Sequence, residues 1–500
     1  MINQSSGQGA LFELVARGVK DSYFVKDSND SFFPYDANYE SSVHHLSERK
    51  TMVPINGTTF GNTFEVEIDP YGDIMTECAF EIDLPTWFPP LPIDPTNLQT
   101  YPPSIANGLY PITSNGDSYG YVNYVGYFLF EKIQLYQDQI LLQEWSGDGL
   151  LVKQMGEGSY NSSFLQQSMG GQLDMVDRTT NIVTNRSIQL RATPNHIHIT
   201  LPLPGLQCPG DIGFPFVAMP WQKFRIKATL RKLEDLIVCS NQSIKPTPWN
   251  ASFTMIYDTS ETYTFSSKSF SDIGSPTILL STIQKYVTPY VQEELRSNPI
   301  QIPFRRQFEN NFTFGELDYI PLDNGGSSSV TRRLDGRHPT EKIFWFYRTQ
   351  NALDRNQLDN FYNDFFDYNL STPTEPFTDP YGNFYYRMKL VIAGRDREIM
   401  LEPFVLQDIS QFVKDEKGSG VNIGEMKWTT GEKFGTIYPC PRQPEGTVNF
   451  SMADRPTLHI ELANVRPDRS RQRKAELRVF TEGWCVYDIR DGRGKLLFSN

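Results

Sequence analysis

The sequence predicts an all-β fold, in which two antiparallel β-sandwiches follow one another along the chain. Aromatic residues make up 13% of the 500 residues, and strands favour aromatic side chains. The 35 glycines and 34 prolines are spread along the chain, as expected for many short strands joined by turns. Roughly seven or eight short alternating segments occur in each half without a βαβ rhythm, which indicates two sandwiches.

The clearest predicted strand covers residues 223–231, near the middle of the chain. Its apolar residues Phe224, Ile226, Ala228 and Leu230 alternate with basic or polar residues. A period of two places the first set on a buried face and the second set in water. We expect this strand to close the first sandwich.

Other segments of the first half show the same alternation. Segments 63–69 and 77–84 are separated by a turn that carries Pro70 and Gly72. We expect these two strands to be neighbours in one sheet. Further strands are predicted within 121–145 and over 195–203.

The second half predicts a similar set of elements. Segment 341–348 is a strand with an aromatic centre, Phe344 to Tyr347, and segment 353–366 has helix-like spacing. A strand followed by a helical turn is predicted within 278–295. Further strands are predicted over 300–314, 384–393, 399–404, 447–451, 457–463, 476–480 and 484–489.

The distribution of turn-forming and loop-forming residues along the chain suggests four regions. These are an N-terminal arm with a short helix (1–50), a first sandwich (51–239), a linker or insert (240–275) and a second sandwich (276–500). Segments 85–118 and 155–186 are rich in Pro, Ser, Gly and Asn and are interpreted as long surface loops. Loops of this length in a compact domain usually carry function or pack against a neighbour.

The charge and the cysteine pattern of the chain argue against several classes of protein. The net charge of −13 disfavours a general nucleic-acid binder, which needs a positive field. The five cysteines are far apart and lack a CxxC pair, so a reducing compartment is expected. The polar residues 1–9 cannot form the core of a signal peptide, and no apolar run approaches the length of a membrane span. We expect a soluble protein.

Several short motifs occur in a fixed order along most of the chain. They are Leu-Val-Ala-Arg-Gly-Val-Lys-Asp at 14–21, Phe-Gly at 60–61, Gly-Asp-Ile at 72–74, Leu-Pro at 84–85, Tyr-Val-Asn-Tyr-Val-Gly-Tyr at 121–127, Lys-Ile-Gln-Leu at 132–135, Leu-Pro-Leu at 201–203, Pro-Gly at 209–210 and Gly-Thr-Val-Asn-Phe-Ser at 446–451. In these motifs, and in the closing segments 477–480 and 497–500, the chain resembles the major capsid proteins of nucleocytoplasmic large DNA viruses, of the iridovirus, phycodnavirus and giant amoeba virus type.

The chain also departs from that family's pattern. Met-Ala-Asp follows the Asn-Phe-Ser motif at 452–454 where Arg-Ile-Asp is usual, and Gly-Trp-Cys stands at 483–485 where Asn-Tyr-Asn is usual. Segment 240–275 matches poorly. These differences identify a divergent member and leave its virus group open.

The resemblance implies two consecutive eight-stranded jelly rolls, three chains in each pseudo-hexameric capsomer, and a structural, non-enzymatic role in the outer shell of an icosahedral virion. It implies assembly in the host cell cytoplasm, and contacts with other copies, neighbouring capsomers, and minor capsid and penton proteins. The inner viral membrane would be reached only indirectly and nucleic acid not directly. Loops 85–118, 155–186 and 323–338 would form the outer tower or subunit contacts.

Two alternatives stay open at this point. One keeps the fold and makes the chain a minor jelly-roll capsid protein or an assembly scaffold. The other is a carbohydrate-binding or carbohydrate-active β-sandwich, since such enzymes need only two opposed carboxylates. Gly-x-Ser-x-Gly, Walker and His-Glu-x-x-His motifs do not occur in the sequence, so no catalytic residue, cofactor or metal site is predicted.

His196 and His198 would share one face of a strand, as some metal ligands do. Because the sequence offers no evident third ligand, the pair is interpreted as part of a solvated face. Asn161 and Asn185 are candidate glycosylation sites in a predicted outer loop, whereas Asn449 is expected to be buried and unglycosylated.

One dense basic run lies near the C-terminus, between two predicted strands. It is interpreted as a solvated turn, or as a contact with an acidic neighbouring subunit or minor capsid protein. The candidate contact residues are Arg466, Arg469, Arg471, Arg473 and Lys474.

Overall fold

The computed structural model describes about half of the chain. The described residues are 44–85, 112–113, 119–156, 196–207, 213–239, 255–256, 274–315, 318, 328–354, 356, 358–359, 385–397, 399–402, 405–406, 423–428, 446–453, 456–462 and 475–497. Residues 45–500 form one compact unit. The short helix predicted in the N-terminal arm would fall within residues 10–20, and these residues and most of loops 85–118 and 155–186 lie outside the described residues.

Strands dominate the first half of the described chain. They are β1 (His45–Met52), β2 (Thr63–Ile68), β3 (Ile74–Asp83), β4 (Ile112–Thr113), β5 (Tyr119–Tyr121), β6 (Phe130–Gln137), β7 (Ile140–Trp145), β8 (Ile197–Thr200), β9 (Phe214–Pro215), β10 (Phe224–Leu230), β11 (Ile237–Cys239), β12 (Met255–Ile256) and β13 (Thr277–Val287).

The second half contributes ten more strands. They are β14 (Ile300–Phe314), β15 (Ser328–Arg333), β16 (Pro339–Thr349), β17 (Tyr385–Ile392), β18 (Arg395–Asp396), β19 (Gly424–Lys427), β20 (Val448–Asn449), β21 (Thr457–Leu462), β22 (Ala475–Arg490) and β23 (Arg493–Leu496). The α-helices are short: α1 (Val125–Phe128), α2 (Gly147–Gly156), α3 (Pro289–Ser297) and α4 (Gln350–Leu353).

The first sandwich consists of two antiparallel sheets. One sheet has the order β1-β13-β3-β8, with β9 added beside β3, and the other has the order β2-β10-β6-β7. Aromatic rings fill the space between them: Phe80 of β3 stacks on Phe130 of β6 with 5.0 Å between ring centroids, and meets Phe64 of β2 edge-on at 5.9 Å. The alternation of β10 therefore marks its buried face, as predicted.

The second sandwich repeats this arrangement. Its sheets have the orders β14-β22-β16-β19 and β15-β21-β17-β18, with β20 and β23 as short additions. If the eight principal strands of each sandwich are numbered along the chain, both sandwiches give the sheet orders 1-8-3-6 and 2-7-4-5. The predicted fold, two eight-stranded jelly rolls, is confirmed.

Three expectations about the first sandwich are wrong. Strands β2 and β3 lie in different sheets, because the turn between them crosses from one layer to the other. Strand β10 lies inside its sheet, between β2 and β6, so it does not close the sandwich. That place belongs to β13, which pairs with both β1 and β3. The expected start of the second sandwich at residue 276 is therefore too early, since the second set of strands begins at β14.

The second half holds three further differences. The two strands expected at 476–480 and 484–489 form one continuous strand, β22, of 16 residues. Residues 328–333, expected in a surface loop, form β15, which pairs with β21. The expected strand at 399–404 is reduced, among its described residues, to a single bridge between Leu401 and Met388. The helical spacing at 353–366 lies mostly outside the described residues, after α4.

Candidate functional site: the seam between the two sandwiches

Strands β22, β16 and β19 of the β14-β22-β16-β19 sheet are buried on both faces. Along β16, the side chains of Ile343, Trp345 and Tyr347 belong to the core of the second sandwich. The alternate side chains, Phe344 and Phe346, pack with the core of the first sandwich. A strand with two buried faces has no polar face, which explains the aromatic run in its sequence. We call the contact between this sheet and the first sandwich the seam.

Helix α2 is the part of the first sandwich that inserts its charged side chains into the seam. It begins after Ser146, whose hydroxyl oxygen accepts a hydrogen bond from the N–H of Gly149 at 3.0 Å, a typical N-cap. At Gly147 a Cβ would collide with the backbone carbonyls of Tyr127 and Phe130, so only glycine fits there. This close approach places Asp148, in the first turn, against the second sandwich.

Asp148 is fully buried and contacts three arginines from three different segments of the chain. Its carboxylate lies 2.8 Å from Arg231, which directly follows β10, 2.9 Å from Arg348 of β16 and 2.8 Å from Arg478 of β22. Burial alone would raise the pKa of Asp148, but the three guanidinium groups outweigh it and hold that pKa well below its usual range. Because Arg231 lies on the first sandwich and the other two on the second, Asp148 joins the two sandwiches.

The same network extends through Glu476 of β22. Its carboxylate lies 2.7 Å from the Nε of Arg348, whose side chain is also fully buried. Arg348 donates a further hydrogen bond to the carbonyl oxygen of Leu358 at 3.0 Å. A buried guanidinium needs such a set of acceptors, because an unpaired buried charge is costly.

A second buried carboxylate, Glu482 of β22, lies further along the seam. Lys153 of α2 approaches it at 3.1 Å and Lys342 of β16 at 3.3 Å. Burial acts to raise the pKa of Glu482, but the two lysines and Arg305 lower it overall. As at Asp148, both sandwiches supply cations, here Lys153 from the first and Lys342 from the second.

A third ion pair, Arg305 of β14 with Glu341 of β16, has two hydrogen bonds of 2.9 and 3.1 Å. The indole N–H of Trp484 donates to the same carboxylate at 2.7 Å. Gln207 and Gln143 of the first sandwich then bond to the backbone of Arg305. This group supplies fixed, directional contacts between the sandwiches.

The seam ends at the β22–β23 hairpin. The side-chain amides of Gln137 and Gln222 donate to the carbonyl oxygen of Gly494, at 2.6 and 3.1 Å. The hydroxyl of Tyr487 donates to the Oε1 of Gln137 at 2.8 Å. Apolar, ionic and polar contacts thus follow one another along the whole interface and fix the two sandwiches in one orientation.

A groove of about 760 Å³ opens beside the seam. It is lined by β6, β7 and β10 on one side and by β14, Asp335 and Arg337 on the other. Its charges largely compensate one another, as in the pairs Lys132–Glu144 and Arg478–Glu309. Among the described residues, no group of three or more His, Cys, Asp or Glu side chains is placed to hold a metal ion. In the same part of the chain, no helix is long and apolar enough to cross a membrane.

Among the candidate site residues that the structure describes, His196, His198 and Asn449 lie outside the seam. Asn161, Asn185 and the basic run 466–474 lie outside the described residues. His196 and His198 lie on the outer face of the first sandwich, where they pair with carboxylates. Asn449 is exposed instead of buried, since β20 is a two-residue edge strand.

One signal in the sequence could have revealed the seam. Five consecutive bulky apolar residues, 343–347, are bounded by Lys342 and Arg348. A run without alternation indicates a strand that is covered on both sides. The partners of the flanking charges could not be read from the sequence, because they come from segments 148–153 and 476–482.

The fold and the seam define a double jelly-roll protein whose two sandwiches form one compact unit. No family model matches the sequence. The chain is 20% identical to "Probable capsid protein 4" of Acanthamoeba polyphaga mimivirus, over 98% of this chain and 99% of that protein.

Solved structures show the same fold. A chain of the PBCV-1 virus capsid matches with a TM-score of 0.64 and 14% identity, over 94% of this chain and 100% of that chain. The Faustovirus major capsid protein matches with a TM-score of 0.55 and 11% identity, over 94% of each chain. In sequence and in fold, the chain is therefore similar to capsid proteins of large DNA viruses.

Proposed function

We propose that the chain is the major capsid protein of a large icosahedral DNA virus, and that three copies form a pseudo-hexameric capsomer of the outer shell. The observation that carries this proposal is the seam. It fixes two sandwiches of identical strand order in one chain, so that one subunit supplies two similar corners. Three such subunits in a closed ring therefore supply six similar corners.

The physical properties of the chain support a shell subunit. Jelly rolls bury the inner faces of their sheets and limit exposed edges, which suits a protein that must remain soluble until it assembles. The net charge of −13 opposes non-specific association between copies. The similarity to the mimivirus and PBCV-1 proteins extends over nearly the whole chain.

The proposal includes the chain's location and its partners. The protein would be part of the virion, be assembled in the host cell cytoplasm, and contact neighbouring capsomers, minor capsid proteins and penton proteins. It would act without catalysis or cofactor, and without direct contact to nucleic acid or membrane. The basic residues of 466–474 remain predicted subunit contacts, and Asn161 and Asn185 remain predicted glycan sites. If the intact mass of the protein from virions equals the mass calculated from the unmodified sequence, glycosylation at these residues is excluded.

Light scattering of the purified full-length chain tests the central claim. A closed three-fold ring of the 57.3 kDa chain has a mass of about 172 kDa, three times that of the monomer. We expect this mass at physiological salt, and a hexagonal outline when the particles are imaged. A stable monomer across the accessible concentrations would contradict the proposal.

A further inference from the structure

The groove beside the seam contains two arginines whose charges are not compensated. Arg306 of β14 and Arg337, in the turn between β15 and β16, both line it. Among the residues that the structure describes, no carboxylate lies within ion-pair distance of either guanidinium group. The other two arginines of the groove differ in this respect, since Arg231 and Arg478 both pair with the buried carboxylate of Asp148.

The carboxylates that line the groove do not supply the missing partners. Glu309 and Glu144 are occupied by the cations described above. Asp335 lies 3.9 Å from the Nε of Arg333. Glu131 belongs to β6, on the opposite wall of the groove. The uncompensated positive charge is therefore concentrated at the end of the groove that holds the two arginines.

Gly483 allows the two arginines to lie close together. It pairs with Arg306 in the register of β14 and β22. On Gly483, a Cβ would lie 2.5 Å from the carbonyl oxygen of Arg337, so only glycine lets the turn approach β22 at this point. Burial lowers the pKa of Arg306, and the neighbouring charge of Arg337 lowers it further. Like charges at such close range repel one another.

The protein groups around Arg306 are poor partners for a guanidinium. The thiol of Cys485 contacts it, and a neutral thiol is a weak hydrogen-bond acceptor. The ring of Phe308 lies 5.4 Å from its Cζ. On the same ring packs His338, which is 5% exposed and whose Nε2 has no hydrogen-bond partner in the described part of the chain. This half-buried cation is therefore short of acceptors, which is costly unless a ligand supplies them.

The turn that carries Arg337 is fixed on both sides. The backbone N–H of Asp335 donates to the Oδ1 of Asn310 at 2.8 Å, and the backbone N–H of His338 donates to the Oγ of Ser451 at 2.9 Å. His338 has a positive φ of 67°, a conformation that persists only where the surrounding contacts fix it. The backbone at Arg337 is thus held in place before any ligand binds.

The charge and the shape of the groove favour a phosphate group with an apolar remainder. A phosphate monoester carries about 1.5 to 2 negative charges at pH 7, which matches two arginines better than a single carboxylate does. Guanidinium groups bind its oxygens through paired N–H donors. The volume of about 760 Å³ is typical of a small-molecule site and exceeds what phosphate alone would fill. Half-buried Phe308 and Leu141 offer apolar contacts in the same groove.

We infer that the groove is a binding site for a phosphate monoester, whose phosphate group lies between Arg306 and Arg337 and whose remainder lies against Phe308 and Leu141. The inference goes beyond the proposed function and does not depend on the assembly of copies. The bound ligand would replace the repulsion between two arginines by charge-assisted hydrogen bonds. It would thereby hold β14 against the turn 334–338 and stabilise the folded chain.

Isothermal titration calorimetry of the full-length chain tests this site. The probes are phenyl phosphate, inorganic phosphate and acetate, at constant ionic strength, and we expect affinity to fall in that order. Arg306→Gln and Arg337→Gln should each raise the dissociation constant of phenyl phosphate by about tenfold to a hundredfold, because each removes charge-assisted hydrogen bonds. The matched control, Arg493→Gln, removes an exposed arginine that does not line the groove and should leave binding unchanged.

Thermal unfolding separates a binding role from a structural one. Without ligand, each of the two arginine variants should have a Tm equal to or above that of the wild type, because the substitution removes the repulsion. A structural role for these arginines predicts a lower Tm. Phenyl phosphate should raise the Tm of the wild type and not that of the variants. If Arg306→Gln does not fold, Arg337→Gln decides the matter, since Arg337 is exposed.

The remaining outcomes distinguish the ligand and the site. Phosphate binding that is no stronger than acetate binding, or that persists unchanged in both arginine variants, would overturn the site. Equal affinity for phenyl phosphate and inorganic phosphate would overturn the monoester and leave free phosphate as the ligand. None of these results bears on the proposed capsomer, because the mass of the assembled chain is measured separately by light scattering.

Discussion

Replacing Asp148 by asparagine tests whether the seam is held by its buried charges. The substitution keeps the shape of the side chain and removes the negative charge between Arg231, Arg348 and Arg478. Arg348 is fully buried and would keep only Glu476 as its ionic partner. Breaking a buried pair by removing one member typically costs about 3–5 kcal/mol, because the remaining charge is left uncompensated.

Urea unfolding, followed by tryptophan fluorescence and circular dichroism, measures this loss. The matched control is Glu144→Gln, which removes an exposed carboxylate that lies 3.0 Å from Lys132. We expect the control to lose at most about 1 kcal/mol, as exposed pairs do. If Asp148→Asn lost no more than the control, the reasoning about the seam would be refuted.

The pH dependence of Asp148 gives an independent check. Its pKa is depressed in the folded state, so its contribution is fully present above the unfolded-state pKa, about 3.9, and is lost as the pH falls through the lower folded value. The wild type should therefore lose free energy of unfolding below about pH 4. Asp148→Asn should show a smaller acid loss, and an unchanged loss would exclude Asp148 as its source.

Three further predictions concern the packing and charge of the same region. Phe344→Ala removes a ring that lies between the sandwiches and should cost about 3–5 kcal/mol in urea unfolding; a loss below about 1 kcal/mol would mean that the ring contributes little to the seam. Glu482→Gln should also reduce the acid loss, since the folded-state pKa of Glu482 is lowered too. Gly424→Ala would place a Cβ against the ring of Trp345 and should cost about 1–3 kcal/mol, whereas Gly57→Ala, with open space around it, should be nearly neutral.

Where the sequence was informative, one face of a strand lay in water. In β10 the buried residues Phe224, Ile226, Ala228 and Leu230 alternate with half-exposed ones, and that alternation is visible in the sequence. The strands predicted within 121–145 are found as β6 and β7, a hairpin whose turn contains Asp138 with a positive φ of 51°. These elements can be predicted from sequence because strand alternation and turn formation depend on residues within a few positions of one another.

Where a strand has both faces buried, the sequence was misleading. Strand β22 has no polar face, and its buried Thr481, Glu482 and Gly483 looked like a break between two strands. In the structure, Glu482 has two lysine partners and Gly483 lies against the carbonyl oxygen of Arg337. A polar residue can continue a buried strand when distant segments supply its partners.

By itself, the sequence determined the fold class, most strands and the resemblance to capsid proteins, since these depend on local alternation, turn residues and short motifs. Tertiary structure alone decided which strands share a sheet, that β13 closes the first sandwich, and that Asp148 meets three arginines. Those facts depend on contacts between residues up to 330 positions apart, as in the pair of Asp148 with Arg478. The physical reason is that such contacts are chosen by the free energy of burying whole faces and pairing buried charges, a sum over distant segments that no local pattern contains.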